Sequence, residues 1–327
     1  MFSRRRVMTG ALTALSVIAF TGAAVAEYPT KPITLVAPYG PGGASDLAAR
    51  TLSATIPGHI GQSMLVINRT GAGGVVGSNY VAKAKKNGYT LLLSRVGSQA
   101  AVPAINRKIP YKWDDFTFLG LLEKNPFVLC INGNSPYKNF AELAAAIKGG
   151  KKLKYASAGV GTLLHVAVIM LLDELKVKPE NLIHVPFKGG GKAAAAVAGN
   201  HADIIFQNLS GVISHIQGKK LRAVAISTPT RAPTVPDVPT VAELGHPGLE
   251  AIVGWSGLWG PKDLPKEVQD KWVAALQKLK KDKAWNKLTQ GLGSIPAISS
   301  QADTKAFVEN QYLKFKDVAE RLNLVIR

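Results

Sequence analysis

The chain has 327 residues, 46% of them hydrophobic, with 40 Lys and Arg against 21 Asp and Glu for a formal charge of +19. That length and hydrophobic content suit two ordinary soluble domains, and the single cysteine excludes an intrachain disulfide framework. The excess of base favours anionic partners, but the lysines fall in scattered pairs (Lys85-Lys86, Lys151-Lys152, Lys219-Lys220, Lys280-Lys281) rather than among aromatics on one element, which argues against nucleic acid.

Residues 1–26 read as an export signal: Arg4-Arg5-Arg6, an apolar region from about 11 to 20, then Ala24-Val25-Ala26 in the A-x-A pattern before Glu27. Without that segment the chain keeps 37 basic and 21 acidic side chains, a charge of +16. Ser3 to Met8 also resembles a twin-arginine signal, so the general secretory and twin-arginine routes both stay open. Later segments fall short of the roughly 18 apolar residues that a spanning helix needs, and the expected location is the periplasm.

From Lys31 the chain alternates short β-rich runs with helical patterns, the βαβ rhythm of a mostly parallel sheet flanked by helices. Ile33–Ala37 is expected as the first strand. It runs into Pro38-Tyr39-Gly-Pro-Gly42-Gly43-Ala44-Ser45-Asp46 and a helix over 45 to about 56. Unpaired amides in such a turn, added to the positive end of a helix, suit a carboxylate or phosphate. The plain alternative is a strand-to-helix turn in which Pro41 sets φ and Ser45 or Asp46 caps the helix.

Met64–Asn68 is the next strand, and a helix through 84 follows the string Gly71-Ala-Gly73-Gly74-Val-Val-Gly77. Valine at 76 breaks the dinucleotide fingerprint counted from Gly71. A third strand over 89–94 opens into Arg95-Val-Gly97-Ser98-Gln99. An arginine just past the carboxyl end of a parallel strand sits where open α/β sheets hold ligands. Arg95 is therefore the charged side chain most expected in a site, the alternative being a solvent-facing loop arginine.

Apolar runs over 116–123 and 126–132 flank Lys124-Asn125, where the chain is expected to cross between lobes, and Cys130 reads as core. This divides the chain into a first lobe of residues 27–124 and 253–327 and a second of 125–252. After a helix over 140–147, Leu153–Ser157 leads into Ala158-Gly159-Val-Gly161-Thr162-Leu-Leu-His165 and a helix to about 175. This repeats the opening grammar, with Thr162 as hydroxyl cap and His165 either a packed neutral imidazole or a ligand contact. A third turn, Phe187-Lys188-Gly189-Gly190-Gly191-Lys192, lacks the first glycine and the hydroxyl of a phosphate loop. Residues 199–208 form a strand holding Asp203 and ending at the polar Gln207, and 221–227 form another. Residues 228–239, with four prolines, make a stiff connection. A strand over 252–260 carries Trp255 and Trp259 back to the first lobe, and amphipathic helices over Lys266–Leu279 and 304–322 finish the chain.

The six histidines show no H-E-x-x-H or H-x-H spacing, and no G-x-S-x-G elbow is present, so neither metal nor cofactor is expected. Asp46 and Asp203 are the carboxylates that folding could bring together for acid–base work, which leaves a carboxylate-processing enzyme as an alternative.

These motifs taken together resemble the substrate-binding proteins of tripartite tricarboxylate transporters, the Bug family. The likeness rests on Pro41-Gly-Gly-Ala-Ser-Asp46 with Ala49-Arg50, Asn68-Arg-Thr-Gly-Ala-Gly-Gly74, Gly88-Tyr-Thr90, Ser157-Ala-Gly-Val-Gly-Thr162 with His165, Val185-Pro-Phe-Lys-Gly189, Arg231 with Pro236-Asp-Val-Pro-Thr240 and Glu243, and Trp255-Ser-Gly257 with Pro261. It implies a two-lobed α/β periplasmic binding protein of type II that closes like a Venus flytrap on a carboxylated solute. Backbone amides and water of two facing turns would hold the solute, which a membrane permease then receives.

Carried onto this chain, the resemblance puts Tyr39, Gly42, Gly43, Ala44, Ser45 and Asp46 of the first turn in the site, and the strand-end reading adds Arg95 with Ser98 from the loop after the third strand. Ala158, Gly159, Gly161, Thr162 and His165 would face them, with Lys188, Asp203 and Gln207 nearby. Two departures stand out. Asn87 replaces the aspartate usual before the Gly-Tyr-Thr motif, and Arg95 stands where small or polar residues are usual, which favours a second carboxylate or a stacked ring on the ligand. The expected partners are a small organic carboxylate, most simply a dicarboxylate, and permease subunits, with the receptor a monomer. A periplasmic sensor adaptor is the further alternative.

Overall fold

A computed structural model describes residues 27–326, so the export-signal reading lies outside the described residues. In chain order the elements are β1 (Ile33–Ala37), α1 (Ala44–Thr55), α2 (Pro57–Ile60), β2 (Met64–Asn68), α3 (Val75–Ala82), β3 (Thr90–Arg95), α4 (Val102–Ile105), β4 (Phe116–Asn125), β5 (Phe127–Asn132), α5 (Phe140–Lys148) and β6 (Leu153–Ser157). They continue with α6 (Leu163–Glu174), β7 (Leu182–Pro186), α7 (Gly190–Ala198), β8 (Ile204–Asn208), α8 (Ile213–Gln217), β9 (Leu221–Ile226), β10 (Gly254–Pro261), α9 (Lys266–Leu279), α10 (Lys283–Gly291), β11 (Ile295–Pro296) and α11 (Gln301–Arg321).

The strands form two sheets, β11-β4-β10-β3-β1-β2 and β7-β6-β8-β5-β9. β1 lies parallel between β2 and β3, and β6 lies parallel between β7 and β8. Each sheet is then completed by antiparallel strands: β10 against β3 and β4, β11 against β4, and β5 against β8 and β9. The sheets are therefore mixed, which corrects the expectation of mostly parallel ones. The runs predicted at 116–132 and 252–260 cross between the sheets in the opposite sense to their neighbours. The chain leaves the first sheet after Asn125, passes Pro126, enters the second at Phe127 and returns at Gly254. β1 and β6 are the strands on either side of which the strand order reverses. By the general rule for α/β sheets, the crevice beyond their carboxyl ends is where ligands bind.

The local reasons for these elements are ordinary. β3 carries Leu91, Leu92 and Leu93, all fully buried between helical layers, as expected for a strand covered on both faces. Asn139, Asp282 and Ser300 cap α5, α10 and α11, each side chain accepting from the amide three residues on. α10 is not among the predicted elements although its nine residues are strongly amphipathic; Asp282 caps it and Trp285 is buried on it. Trp255, Trp259, Trp272 and Trp285 are the largest fully buried side chains, and Phe118 meets Trp259 edge-on at 4.6 Å between centroids.

Cys130 is fully buried in β5, and burial pushes its thiol above the ordinary range. Native protein is expected to resist a thiol-reactive dye that labels one cysteine in urea-unfolded protein; fast native labelling would contradict this packing.

Candidate functional site

The β1–α1 turn approaches the second lobe as bare backbone. Gly40 N donates to Lys188 O at 3.2 Å across the gap, and a Cβ on Gly43 would stand 2.9 Å from Gly191 N. α1 starts at Ala44 with Gly43 as its N-cap and no side-chain cap. The amides of Ala44 and Ser45 find no acceptor among the described residues. Ser45 therefore does not cap the helix, and Asp46 turns back to serve the turn. Its carboxylate accepts from Gly42 N at 3.1 Å, Asn68 Nδ2 at 2.9 Å and Arg50 Nε at 2.9 Å. Burial opposes its charge, but those donors outweigh burial and hold the carboxyl below its ordinary range.

In the second lobe, Gly159 (φ +126°) and Gly161 (φ +76°) bend the β6–α6 turn. Thr162 is the N-cap residue of α6, but its hydroxyl donates to Gly159 O at 2.7 Å instead of capping an amide. Gly161 N donates to His165 Nδ1 at 3.3 Å. The His165 ring stacks on His184, 4.4 Å between centroids, and His184 Nε2 bonds Ser157 Oγ at 2.7 Å. Burial first, and the neighbouring His184 second, push His165 down to about 4, so the ring is neutral and free to accept.

His165 has a pH consequence. Its folded value is depressed from about 6.5. The stability it contributes is thus complete above pH 6.5, erodes as the pH falls toward 4, and is gone below. Urea midpoints measured across that window should fall, and His165→Gln should flatten the fall; identical slopes for both proteins would refute the assignment.

Between the turns lies a narrow inner cavity of about 40 Å³, room for roughly three waters by probe volume. Tyr39, Gly43, Ala44, Ser45 and the stretch Arg95-Val96-Gly97 line it from the first lobe, and Ala158, Thr162, Leu163, Leu164, Gly190, Gln207 and Asn208 from the second. The starts of α1, α6 and α7 converge there, and Arg95 is the one charged residue in its lining. A second, outer cavity of about 380 Å³ lies between Gly71–Gly74 and Gly159–Gly161, with Phe187 and Lys188 on its wall. Tyr39 borders both cavities, its hydroxyl donating to Gly73 O at 2.8 Å.

Arg95 is the last residue of β3 rather than a loop residue, and it is 3% exposed. Its Nη1 donates to Ser256 Oγ at 2.6 Å and to Glu123 Oε1 at 3.3 Å. The same Oε1 accepts from Ser256 Oγ at 2.7 Å and Asn125 Nδ2 at 2.8 Å. Asn125 also accepts from Ser210 Oγ at 2.8 Å, tying this buried network to the second lobe.

Of the residues proposed from sequence, Tyr39, Gly43, Ala44, Ser45, Arg95, Ala158, Thr162 and Gln207 line the inner cavity, and Gly159, Gly161 and Lys188 line the outer one. Gly42, Asp46, Ser98 and His165 line neither; they shape the turns, Ser98 by donating to Arg95 O at 3.3 Å. Asp203 is displaced altogether. It precedes β8 at the strand's far end, its carboxylate accepting from Lys154 N at 2.7 Å. Four residues of extended chain, about 13 Å, separate it from Gln207, so Asp46 and Asp203 form no acid–base pair. Gly190, Gly97 and Asn208 were missed as lining residues. A glycine in the turn that follows a strand is the available signal at Gly97, two residues past β3, and at Gly190, four past β7, while Asn208 carries none.

The model of the family described as the tripartite tricarboxylate transporter family receptor (TctC) matches residues 48–324. A Pseudomonas sp. protein of the UPF0065 group, from the tcbD–tcbE intergenic region, is 34% identical over 84% of this chain and 81% of its own length. The structure of periplasmic binding protein BugD superposes with a TM-score of 0.87 at 30% identity, covering 92% of this chain and all of that one. MatC from Rhodopseudomonas palustris with bound malate gives 0.84 at 29%, covering 89% of this chain and 99% of its own. A two-lobed α/β fold with helix starts converging on one cavity, and a family match over most of its length, make this chain a member of the tripartite tricarboxylate transporter receptor family, the Bug proteins.

Proposed function

We propose that this protein is a periplasmic receptor that captures a small organic anion, a dicarboxylate in its simplest form, between its lobes and delivers it to a membrane permease. The carrying observation is the convergence of three helix N-termini, those of α1, α6 and α7, on a cavity whose only charged lining residue, among the described residues, is Arg95. Three positive helix ends repel one another unless an anion lies between them. A relative that holds malate supports the same reading.

The inner cavity is smaller than such a solute, so capture requires the lobes to part, the solute to meet the free amides of α1, and the glycine turns to close over it. Closure excludes water and strengthens each hydrogen bond to the carboxylate. In this reading the protein works as a monomer after removal of residues 1–26, and the permease reopens the lobes to release an unchanged solute. A receptor rather than an enzyme also fits the separation of Asp46 from Asp203.

Calorimetric titration of ligand-stripped protein with succinate, malate, adipate, glutamate, citrate and terephthalate tests the reading. Saturable binding of at least one, recovered unaltered, is expected; no heat from any of them overturns it.

A further inference from the structure

We propose that Arg95 is the specificity-determining residue of this site, selecting solutes that carry a second anionic group at the inner end and rejecting those that carry an ammonium group there. The inference rests on the receptor reading above and deepens it.

Arg95 is almost completely buried, and its exposed remainder borders the inner cavity. A guanidinium offers five N–H donors on three nitrogens, yet Nη1 alone has protein acceptors among the described residues. The counter-charge is shared. Glu123 Oε1 stands 3.3 Å from Arg95 Nη1 but takes closer bonds from Ser256 and Asn125. Nε and Nη2 thus remain without a protein acceptor among the described residues, which leaves their N–H donors for the oxygens of a solute.

A second observation points the same way. Ser45 lines the same cavity, and its Oγ is buried without a hydrogen-bond partner among the described residues. With the amides of Ala44 and Ser45, the site is rich in donors, and its lining contains no carboxylate. An inner carboxylate would satisfy Arg95 as a two-oxygen acceptor matched to the guanidinium fork. An inner ammonium would meet a like charge and find no free acceptor, because the one nearby acid, Glu123, is already held by Arg95, Ser256 and Asn125.

The packing also explains how Arg95 is held. Ser256 on β10 and Glu123 on β4 fix Nη1, while Asn125 fixes Glu123 and reaches Ser210 in the second lobe. The guanidinium is therefore set in place before the solute arrives, which limits the ordering cost of binding.

Isothermal titration with succinate, malate and adipate, the monomethyl ester of each, and 4-aminobutyrate, which carries an ammonium in place of the second carboxylate, tests the proposal. The proteins are the wild type, the paired variant Arg95→Gln/Glu123→Gln, and Arg95→Lys. The paired variant removes both charges together, so no buried ion is stranded, and a melting curve reports whether it is folded. The wild type should prefer the best diacid over its monoester and over 4-aminobutyrate by about 30-fold or more. The paired variant should lose most of that preference, and Arg95→Lys should keep its sign while weakening it. A folded paired variant with the wild-type preference, or a wild type that treats diacid and monoester alike, overturns the proposal and leaves the receptor reading standing. If the paired variant does not fold, Arg95→Lys decides: an unchanged diacid affinity and preference overturn the proposal. A wild type that binds nothing in this panel overturns the inference, and the receptor reading falls with it only if glutamate, citrate and terephthalate also give no heat.

Discussion

Replacing Gly191 by valine should cost at least about 100-fold in solute affinity while leaving the ligand-free protein as stable as wild type. A Cβ at this position would lie 2.5 Å from Pro41 O and 2.9 Å from Gly43 N, atoms of the other lobe's turn. Within its own lobe the position is an ordinary helical one in α7, where a glycine is worse than most residues by up to about 1 kcal/mol. The substitution therefore does no harm to α7 and acts only where the lobes meet. Keeping them apart removes the second-lobe contacts and the exclusion of water, on the order of 3 kcal/mol or about 100-fold. Gly58→Ala is the control, since a Cβ at Gly58 meets nothing within 4 Å, and it should bind as wild type does. Calorimetry and thermal melting on the three proteins decide the matter: Gly191→Val binding at wild-type affinity would show that this closed contact plays no part in capture.

Glu123→Ala should be the most destabilising single substitution near the site, by about 3–5 kcal/mol. One carboxylate oxygen gathers Arg95, Ser256 and Asn125 in a place where Glu123 is 3% exposed. Truncation leaves the Arg95 charge buried without its counter-ion and strands two further donors. For a chain of this length, that loss corresponds to a fall in melting temperature of roughly 5–8 °C. The Arg95→Gln/Glu123→Gln pair should recover most of it, because neutral amides can exchange the same hydrogen bonds without a stranded ion. A Glu123→Ala melting point within 1 °C of wild type, on the same scale, would mean that the pair contributes nothing to the fold.

Much of the fold was legible along the chain. Ile33–Ala37, Met64–Asn68, Leu153–Ser157 and Lys266–Leu279 were bounded correctly, because a compact β-branched or apolar run followed by a glycine turn, or a long amphipathic period, is a local signal. The direction of β5 and β10 was not legible: an apolar run has the same composition whichever way it traverses a sheet. Thr162, expected as a hydroxyl cap, serves Gly159 O instead, since a side chain at a helix start can serve the amide ahead of it or the turn behind it, and only the turn's geometry chooses.

The sequence alone determined the glycine turns, the helix starts that follow them, the absence of metal-ligand and nucleophile motifs and the family likeness, all of which depend on residues a few positions apart. Tertiary structure decided which turns meet. The β1–α1 turn interlocks with Gly189–Gly191, the β6–α6 turn lies against Gly71–Gly74, and the three helix starts share one cavity. It also decided that Arg95 lies buried at that cavity with Glu123 beside it while Asp203 stands at the far end of its strand. These outcomes depend on strand order and on where the chain crosses between lobes, which bring together residues distant in the chain through packing that no local pattern encodes.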